Sequence, residues 1–503
     1  MNERLSGVLM PMSSLPSRYG IGTMGVEAYR FVDFLKASGQ SYWQLLPLGP
    51  TSYGDSPYQS FSTFAGNPYY VDLEFLIRDG LLKQEEVEAF DWGEDPARTD
   101  YGTIYANRFK VLRIAFERGW DQYADKIAAF RAEHAGWVEN YAFFMAIKAE
   151  QGGLSWTEWP EPLKLRHDNA LGEAWERLRT EVNFYVFIQY LFDEQWKALR
   201  SYAHIQGIRF IGDIPIYVAM DSADVWAEPW YFQLNEKNVP NEVAGVPPDQ
   251  FTADGQLWGN PLYNWGLMRS DGFNWWIRRV GGASRLFDVI RIDHFRGIES
   301  YWAVPYGDTT AKNGHWNPGP GIYFVEILKS WFKELRYIAE DLGYLTPDVK
   351  KMVADSGLPS MRVMEFAFDG HGDSIYLPHN CTPNTVCYLG THDNDTALGW
   401  VSSLDPKSYV FAKDYMHITS DEGWCWGMIR SGMATSSMLF VVQMQDLLEL
   451  GGEARMNTPG QASGNWQWRM LPGKLTKDLA EKLYHYTKTY KRLPVLYSES
   501  AEE

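Results

Sequence analysis

The sequence predicts an α/β protein built on a (β/α)8 barrel, a TIM barrel, with large insertions between strands forming subdomains around an active-site cleft. Two observations carry that prediction. Eight short apolar, β-branched and aromatic runs read as buried parallel strands, with amphipathic helical stretches between several of them. Three of these runs lead into acidic residues, and carboxylates at the ends of parallel strands converge where a barrel builds its active site.

The strands are expected over 7–10, 42–46, 208–211, 287–292, 337–339, 363–367, 385–389 and 439–443. A helical pattern over 26–37 follows the first strand, and another over 182–204 precedes the third. The spacing is uneven. About 160 residues separate the second and third strands, far more than an ordinary connection, so an insertion is expected over 60–155. Further insertions are expected over 218–279, with a Gly- and Pro-rich active-site loop at 245–263, and over 401–437. A single barrel uses about 250 residues, and the insertions make 1–503 one catalytic barrel. The first strand begins almost at residue 1, which leaves no room before it for an extra domain, and the small, acidic residues 498–503 are expected to fray.

Composition narrows the function classes. A net charge of −18 argues against nucleic acid or an anionic membrane as partner, since both need a basic face; a neutral ligand such as a sugar fits it. Aromatic residues reach 16%, with 22 Trp and 30 Tyr; most fill a core, and some are available as stacking surfaces. Three cysteines without a C-x-x-C pair fit reduced thiols in a cytoplasmic enzyme. No signal peptide is legible, and no apolar run approaches the roughly 20 residues of a membrane helix.

The chemistry sits in three motifs: Arg291-Ile292-Asp293-His294, Ala339-Glu340-Asp341-Leu342-Gly343 and Thr391-His392-Asp393-Asn394-Asp395. Three converging carboxyls can supply a nucleophile, a general acid and a stabiliser of positive charge for a glycosidic-bond reaction. A nucleophilic carboxylate must stay ionised, and Arg291, two residues before Asp293 on the same strand face, is placed to hold its charge; a structural Arg–Asp pair is the plainer alternative. Glu340 suits a general acid, which needs a raised pKa, whereas Asp341 points to the other face and serves the scaffold. Asp213, at the end of the third strand, is expected to orient the catalytic carboxylates. His294, His392, Asp293 and Asp393 are all metal-ligand types. Metal-dependent barrel hydrolases usually place a His pair early, but Pro11, Met12, Ser13 and Ser14 follow the first strand, so metal ranks below carbohydrate. Gly20-Ile21-Gly22-Thr23-Met24-Gly25 matches a dinucleotide fingerprint in letters but does not directly follow a strand, and no acid closes the next one.

Together these motifs resemble the amylomaltase (disproportionating enzyme) family of 4-α-glucanotransferases, relatives of the α-amylases. The resemblance spans nearly the whole chain. It includes Ser13-Ser14-Leu15-Pro16, Tyr53-Gly54-Asp55-Ser56-Pro57-Tyr58, Gly245-Val246-Pro247-Pro248-Asp249, Gln256-Leu257-Trp258-Gly259-Asn260-Pro261, Asn457-Thr458-Pro459-Gly460 and Gly464-Asn465-Trp466-Gln467-Trp468-Arg469. It implies a retaining double displacement on α-1,4-glucans: maltooligosaccharides and chains from starch or glycogen. Asp293 would be the nucleophile, Glu340 the acid/base and Asp393 the transition-state stabiliser, with no cofactor. It also implies sugar or carboxylate contacts for Arg291, His294 and His392, and Tyr58, Gln256, Trp258 and Asn465 are the candidates for further sugar contacts. Tyr53 and Tyr101 are candidates for a second glucan site outside the cleft. Gln461 stands where the resemblance leads to Thr.

Two other readings compete. An α-amylase-type hydrolase would use the same residues with water as acceptor; the loop at 256–261 resembles the transferases instead. A non-catalytic glucan-binding protein would have no need of a general acid. A monomer and a homodimer are both compatible with the sequence.

Overall fold

The structure, a computed structural model, describes residues 3–248, 252–343, 345–368, 374–461 and 463–494. Asp249 and the acidic tail 498–503 lie outside that set, as does the side chain of Tyr53.

Among the described residues twelve strands occur in chain order: β1 (Leu5–Leu9), β2 (Tyr42–Gln44), β3 (Arg209–Pro215), β4 (Glu242–Val246), β5 (Gln256–Pro261), β6 (Val289–Asp293), β7 (Ser300–Pro305), β8 (His315–Pro318), β9 (Arg336–Ala339), β10 (Ser360–Val363), β11 (Thr385–Tyr388) and β12 (Leu439–Gln443). Eight of them form a closed parallel barrel in the order β1-β12-β11-β10-β9-β6-β3-β2. The seam closes between the ends of the chain, with Leu5 opposite Leu439 and Leu9 opposite Gln443.

The lumen is packed by alternate residues of these strands, among them Leu5, Leu9, Tyr42, Ile211, Val289, Ile338, Met361, Val363, Val386, Tyr388, Leu439 and Val441. Gly7 falls between Leu5 and Leu9 on this face because Tyr42 presses there: a Cβ at Gly7 would lie 2.7 Å from the Tyr42 carbonyl oxygen. Side chains two residues apart share a face of a strand. The apolar lumen positions therefore run upward into polar ones: Ile211 into Asp213, Val289 into Arg291 and Asp293, and Ile338 into Glu340.

One strand departs from the expectation. The run over 363–367 was expected to be the sixth barrel strand, yet the strand is β10 and ends at Val363; Met364–Phe366 turns into a 3-10 helix. That turn carries Glu365 into the interior, where its side chain is buried, so an apolar run interrupted by an acid became the loop rather than the strand.

The chain between β2 and β3 is helical, with helices at Tyr101–Gln122 and Val138–Glu150 and a 38-residue helix at Asp168–Ile205, which starts earlier than the 182–204 pattern indicated. The helix at Val26–Ala37 has the bounds read from the sequence. A small antiparallel sheet, ordered β5-β4-β7-β8, stands beside the barrel mouth. Its second half comes from residues after β6, a contribution the sequence did not announce. Among the described residues no helix is long and apolar enough to cross a membrane.

The fingerprint-like Gly20-to-Gly25 segment is a packing device. A Cβ at Gly22 would sit 1.9 Å from the Met12 carbonyl oxygen, and one at Gly25 would meet the Asp72 carboxylate at 2.0 Å.

Candidate active site

Strand register assembles the core of the site. Asp213 lies opposite Arg291 across the β3–β6 pair, and Ile292 lies opposite Ala339 across β6–β9, so Asp293 and Glu340 follow side by side at the rim. The Arg291 Nη1 donates to Asp213 Oδ2 at 2.6 Å and to Asp293 Oδ1 at 3.0 Å. Both Arg291 and Asp213 are buried, while the Asp293 side chain keeps 28% of its surface open at the mouth. Burial works against the Arg291 charge, but Asp213 and Asp293 outweigh it and raise its pKa above the ordinary value.

Glu340 is held by backbone. Its Oε2 accepts the His294 N–H at 2.7 Å and its Oε1 accepts the Leu342 N–H at 2.7 Å. The first of these bonds depends on His294 standing in the left-handed region at φ 53°, an uncommon conformation for a residue with a side chain. Asp341 faces away, accepting the Met361 N–H at 2.8 Å and serving the scaffold.

Burial lifts the Asp293 carboxyl well above the usual carboxylate range, against the pull of Arg291, and Asp213, Glu340 and Asp393 add to the lift. Glu340 is lifted too, by burial, with Arg291 and the two backbone N–H groups opposing it. The two carboxyls titrate as a pair, so their protons leave in two steps that belong to both. Arg291 touches Asp293 and reaches Glu340 only across space, whereas Glu340 has the two backbone N–H groups to favour its charge. One carboxylate beside one carboxylic acid is what a nucleophile and a general acid require, and a coupled pair that shares a proton can supply both.

Opposite this pair, the Thr391–Asn394 turn beyond β11 carries His392 and Asp393. The Tyr58 ring stacks on His392 with centroids 5.2 Å apart. The Tyr58 hydroxyl donates to Asp213 Oδ2 at 2.7 Å and lies 2.8 Å from His392 Nε2. Its single proton goes to Asp213, so the network assigns Nε2–H to His392 as the donor to the tyrosine oxygen. Burial lowers the His392 pKa, so the ring is neutral, and its Nδ1 is buried without a hydrogen-bond partner. His294 is pushed down to about 3 by burial, with Arg296 adding to the effect, and packs edge-on against Trp258 at 4.8 Å. Both imidazoles thus enter the site uncharged.

Asp393 accepts the Asn457 Nδ2–H at Oδ1 (2.6 Å), lies 3.4 Å from His392 Nε2 through Oδ2, and is 41% exposed. Asn457 and Arg455 were not among the residues singled out from sequence. Asn457 stood in a quoted motif, but only the folded chain brings it onto Asp393. Asp395, in the same motif as Asp393, turns away: its Oδ1 accepts the Thr396 N–H at 2.8 Å.

Gln256 and Trp258 lie on β5, where the Trp258 indole N–H donates to Gln256 Oε1 at 3.1 Å. Asn465 precedes Trp466, whose ring lies against Tyr58 and His392. The Asn465 amide spans its own loop, accepting the Thr458 N–H at 2.9 Å and donating to the Gln461 carbonyl at 2.9 Å. Tyr101 is buried, its hydroxyl donating to the Trp466 carbonyl at 3.1 Å, and offers no outer sugar platform. Among the described residues no group of three or more His, Cys, Asp or Glu is arranged to hold a metal ion.

A parallel barrel with carboxyls gathered at its mouth, neutral histidines beside them and aromatic rings around them has the form of a carbohydrate-active enzyme. The profile of the 4-alpha-glucanotransferase family, Glyco_hydro_77, matches residues 10–476. The chain is 46% identical over 502 residues to a 4-alpha-glucanotransferase of Thermus thermophilus, covering 97% of this chain and 99% of that one. It is 44% identical over 485 residues to one of Clostridium butyricum, covering 96% and 100%. An amylomaltase of Streptococcus agalactiae, solved in complex with acarbose, superposes with a TM-score of 0.96 at 40% identity, covering 98% of this chain and 100% of that chain. The chain belongs to the 4-alpha-glucanotransferase family.

Proposed function

We propose that the protein transfers a segment of an α-1,4-glucan to the 4-hydroxyl of an acceptor sugar by a retaining double displacement. The observation that carries this reading is the Arg291–Asp293 contact beside Glu340, which sets a cation-paired carboxyl next to one held by backbone N–H groups. Asp293 attacks the anomeric carbon, the bond to the leaving sugar breaks, and Glu340 gives its proton to the departing oxygen. The acceptor hydroxyl then loses its proton to Glu340 and displaces Asp293, which restores the carboxylate. Asp393 faces the positive charge that develops on the ring. Arg291, His392, His294 and Asp213 hold these groups and the sugar in register, and Tyr58 forms one wall.

Glucan substrates are supported by the relatives' names and by the acarbose complex of the streptococcal amylomaltase. Transfer requires a sugar hydroxyl to outcompete water, which calls for a bound acceptor and a site that sheds water. The β4–β5 hairpin at the barrel mouth, carrying Gln256 and Trp258, fits that task. Three free, buried cysteines support a cytoplasmic location.

The test is incubation with maltotriose alone, with products resolved by length. Glucose together with chains longer than maltotriose is expected. Glucose and maltose with nothing longer would mean a hydrolase, and unchanged maltotriose would mean a binding protein.

A further inference from the structure

We propose that Asn457 is a positioning residue for the reaction, fixing the carboxylate of Asp393 with a neutral donor so that it keeps its full negative charge. The inference rests on the reading of Asp393 as the stabiliser of the cationic transition state. Asp393 sits in a turn, and its side chain is open to the cleft. A carboxylate so placed has little to define its rotation beyond the 2.6 Å bond from Asn457 Nδ2 to Oδ1. That bond leaves Oδ2, the oxygen beside His392 Nε2, for the sugar.

Asn457 is itself braced. Its backbone N–H donates to the His392 carbonyl at 3.0 Å, and its own carbonyl accepts Arg455 Nε at 2.7 Å. Arg455 Nη2 donates to the Asp393 carbonyl at 2.7 Å. The segment thus grips the His392–Asp393 backbone and carboxylate at the same time. Arg455, the nearest cation on this segment, spends its hydrogen bonds on main-chain carbonyls; the Asp393 carboxylate receives an amide.

That choice matters electrostatically. A lysine or arginine at 457 would orient Asp393 equally well but would cancel the charge on which the transition state depends. A second carboxylate there would repel it. An amide orients without neutralising.

The experiment compares kcat and KM on maltotriose, together with Tm, for the wild type, N457A, N457D and D393N. N457A is expected to lower kcat by about 10- to 100-fold, the loss of one charged hydrogen bond, with KM within about twofold of wild type and Tm little changed. The isosteric N457D keeps the volume, guards against a packing defect in N457A, and is expected to lose at least as much kcat. If N457A and N457D turn over like the wild type while D393N is inactive, the positioning role is overturned and the reading of Asp393 stands. A raised KM and lowered Tm with kcat unchanged would mark Asn457 as merely structural and overturn it as well. If D393N itself keeps wild-type kcat, the stabiliser reading fails and takes this inference with it.

Discussion

Asp213 Oδ2 and Arg291 Nη1 lie 2.6 Å apart in the barrel lumen, both side chains almost wholly withdrawn from water, and Arg291 reaches on to Asp293. This pair joins the barrel core to the reaction centre. Removing Asp213 leaves the buried Arg291 with only the partly open Asp293 to balance its charge, which is costlier than losing a surface ion pair. Asp213→Ala is expected to destabilise the fold by about 3 kcal/mol or more and to lower kcat, as read by denaturant unfolding and maltotriose turnover. An unchanged unfolding midpoint would contradict the buried-pair account.

Glu340→Gln removes the proton donor, and its amide oxygen can still accept one of the two backbone N–H groups of His294 and Leu342. Turnover of maltotriose is expected to fall by about 100- to 10,000-fold. Formation of the glycosyl-enzyme from maltosyl fluoride, whose leaving group needs no proton, should survive far better. Equal losses on both donors would remove Glu340 from the acid role.

Trp258 packs edge-on against His294 from the mouth of the cleft. If the β4–β5 hairpin excludes water, Trp258→Ala should shift products severalfold from lengthened chains toward simple hydrolysis. Product lengths from maltotriose give the ratio directly, and an unaltered ratio would remove the tryptophan from that task.

Asp446 is buried beneath the site, its Oδ1 accepting the Ala397 N–H at 2.7 Å and its Oδ2 without a partner. Burial pushes its pKa up to about 7, with Asp395 adding to the lift. The folded protein therefore holds a proton between pH 4 and 7 that the unfolded chain releases, and stability must fall as pH rises through that window. Asp446→Asn, which keeps an acceptor and cannot ionise, is expected to melt roughly 2–5 °C above the wild type at pH 8. The gap should close toward pH 4, and a gap independent of pH would refute the titration.

Much of this was legible in the sequence because barrel strands obey a period of two. Asp213, Arg291, Asp293 and Glu340 continue the parity of apolar lumen residues, so their convergence follows from strand assignment alone. Where the signal was not periodic it failed. The 363–367 run has the composition of a strand, but Glu365 goes inside on a 3-10 turn, a tertiary outcome that no local propensity encodes. Strands β7 and β8 were missed because β7 pairs with β4, some 60 residues earlier in the chain. Asn457 reaches Asp393 across 64 residues of chain. Asn465 shows the converse: an eye-catching motif residue whose amide is used within its own loop.

The barrel seam has a consequence for synthesis. The first strand of the chain finds its second neighbour only when the last strand, Leu439–Gln443, arrives, and Asp393 meets Asn457 later still. A ribosome that has released residues 1–430 has therefore made Asp293 and Glu340 but an open cylinder around them. Stalled or clipped chains lacking the C-terminal segment would be silent rather than partly active, and the cell would meet the enzyme as an all-or-none product of complete translation.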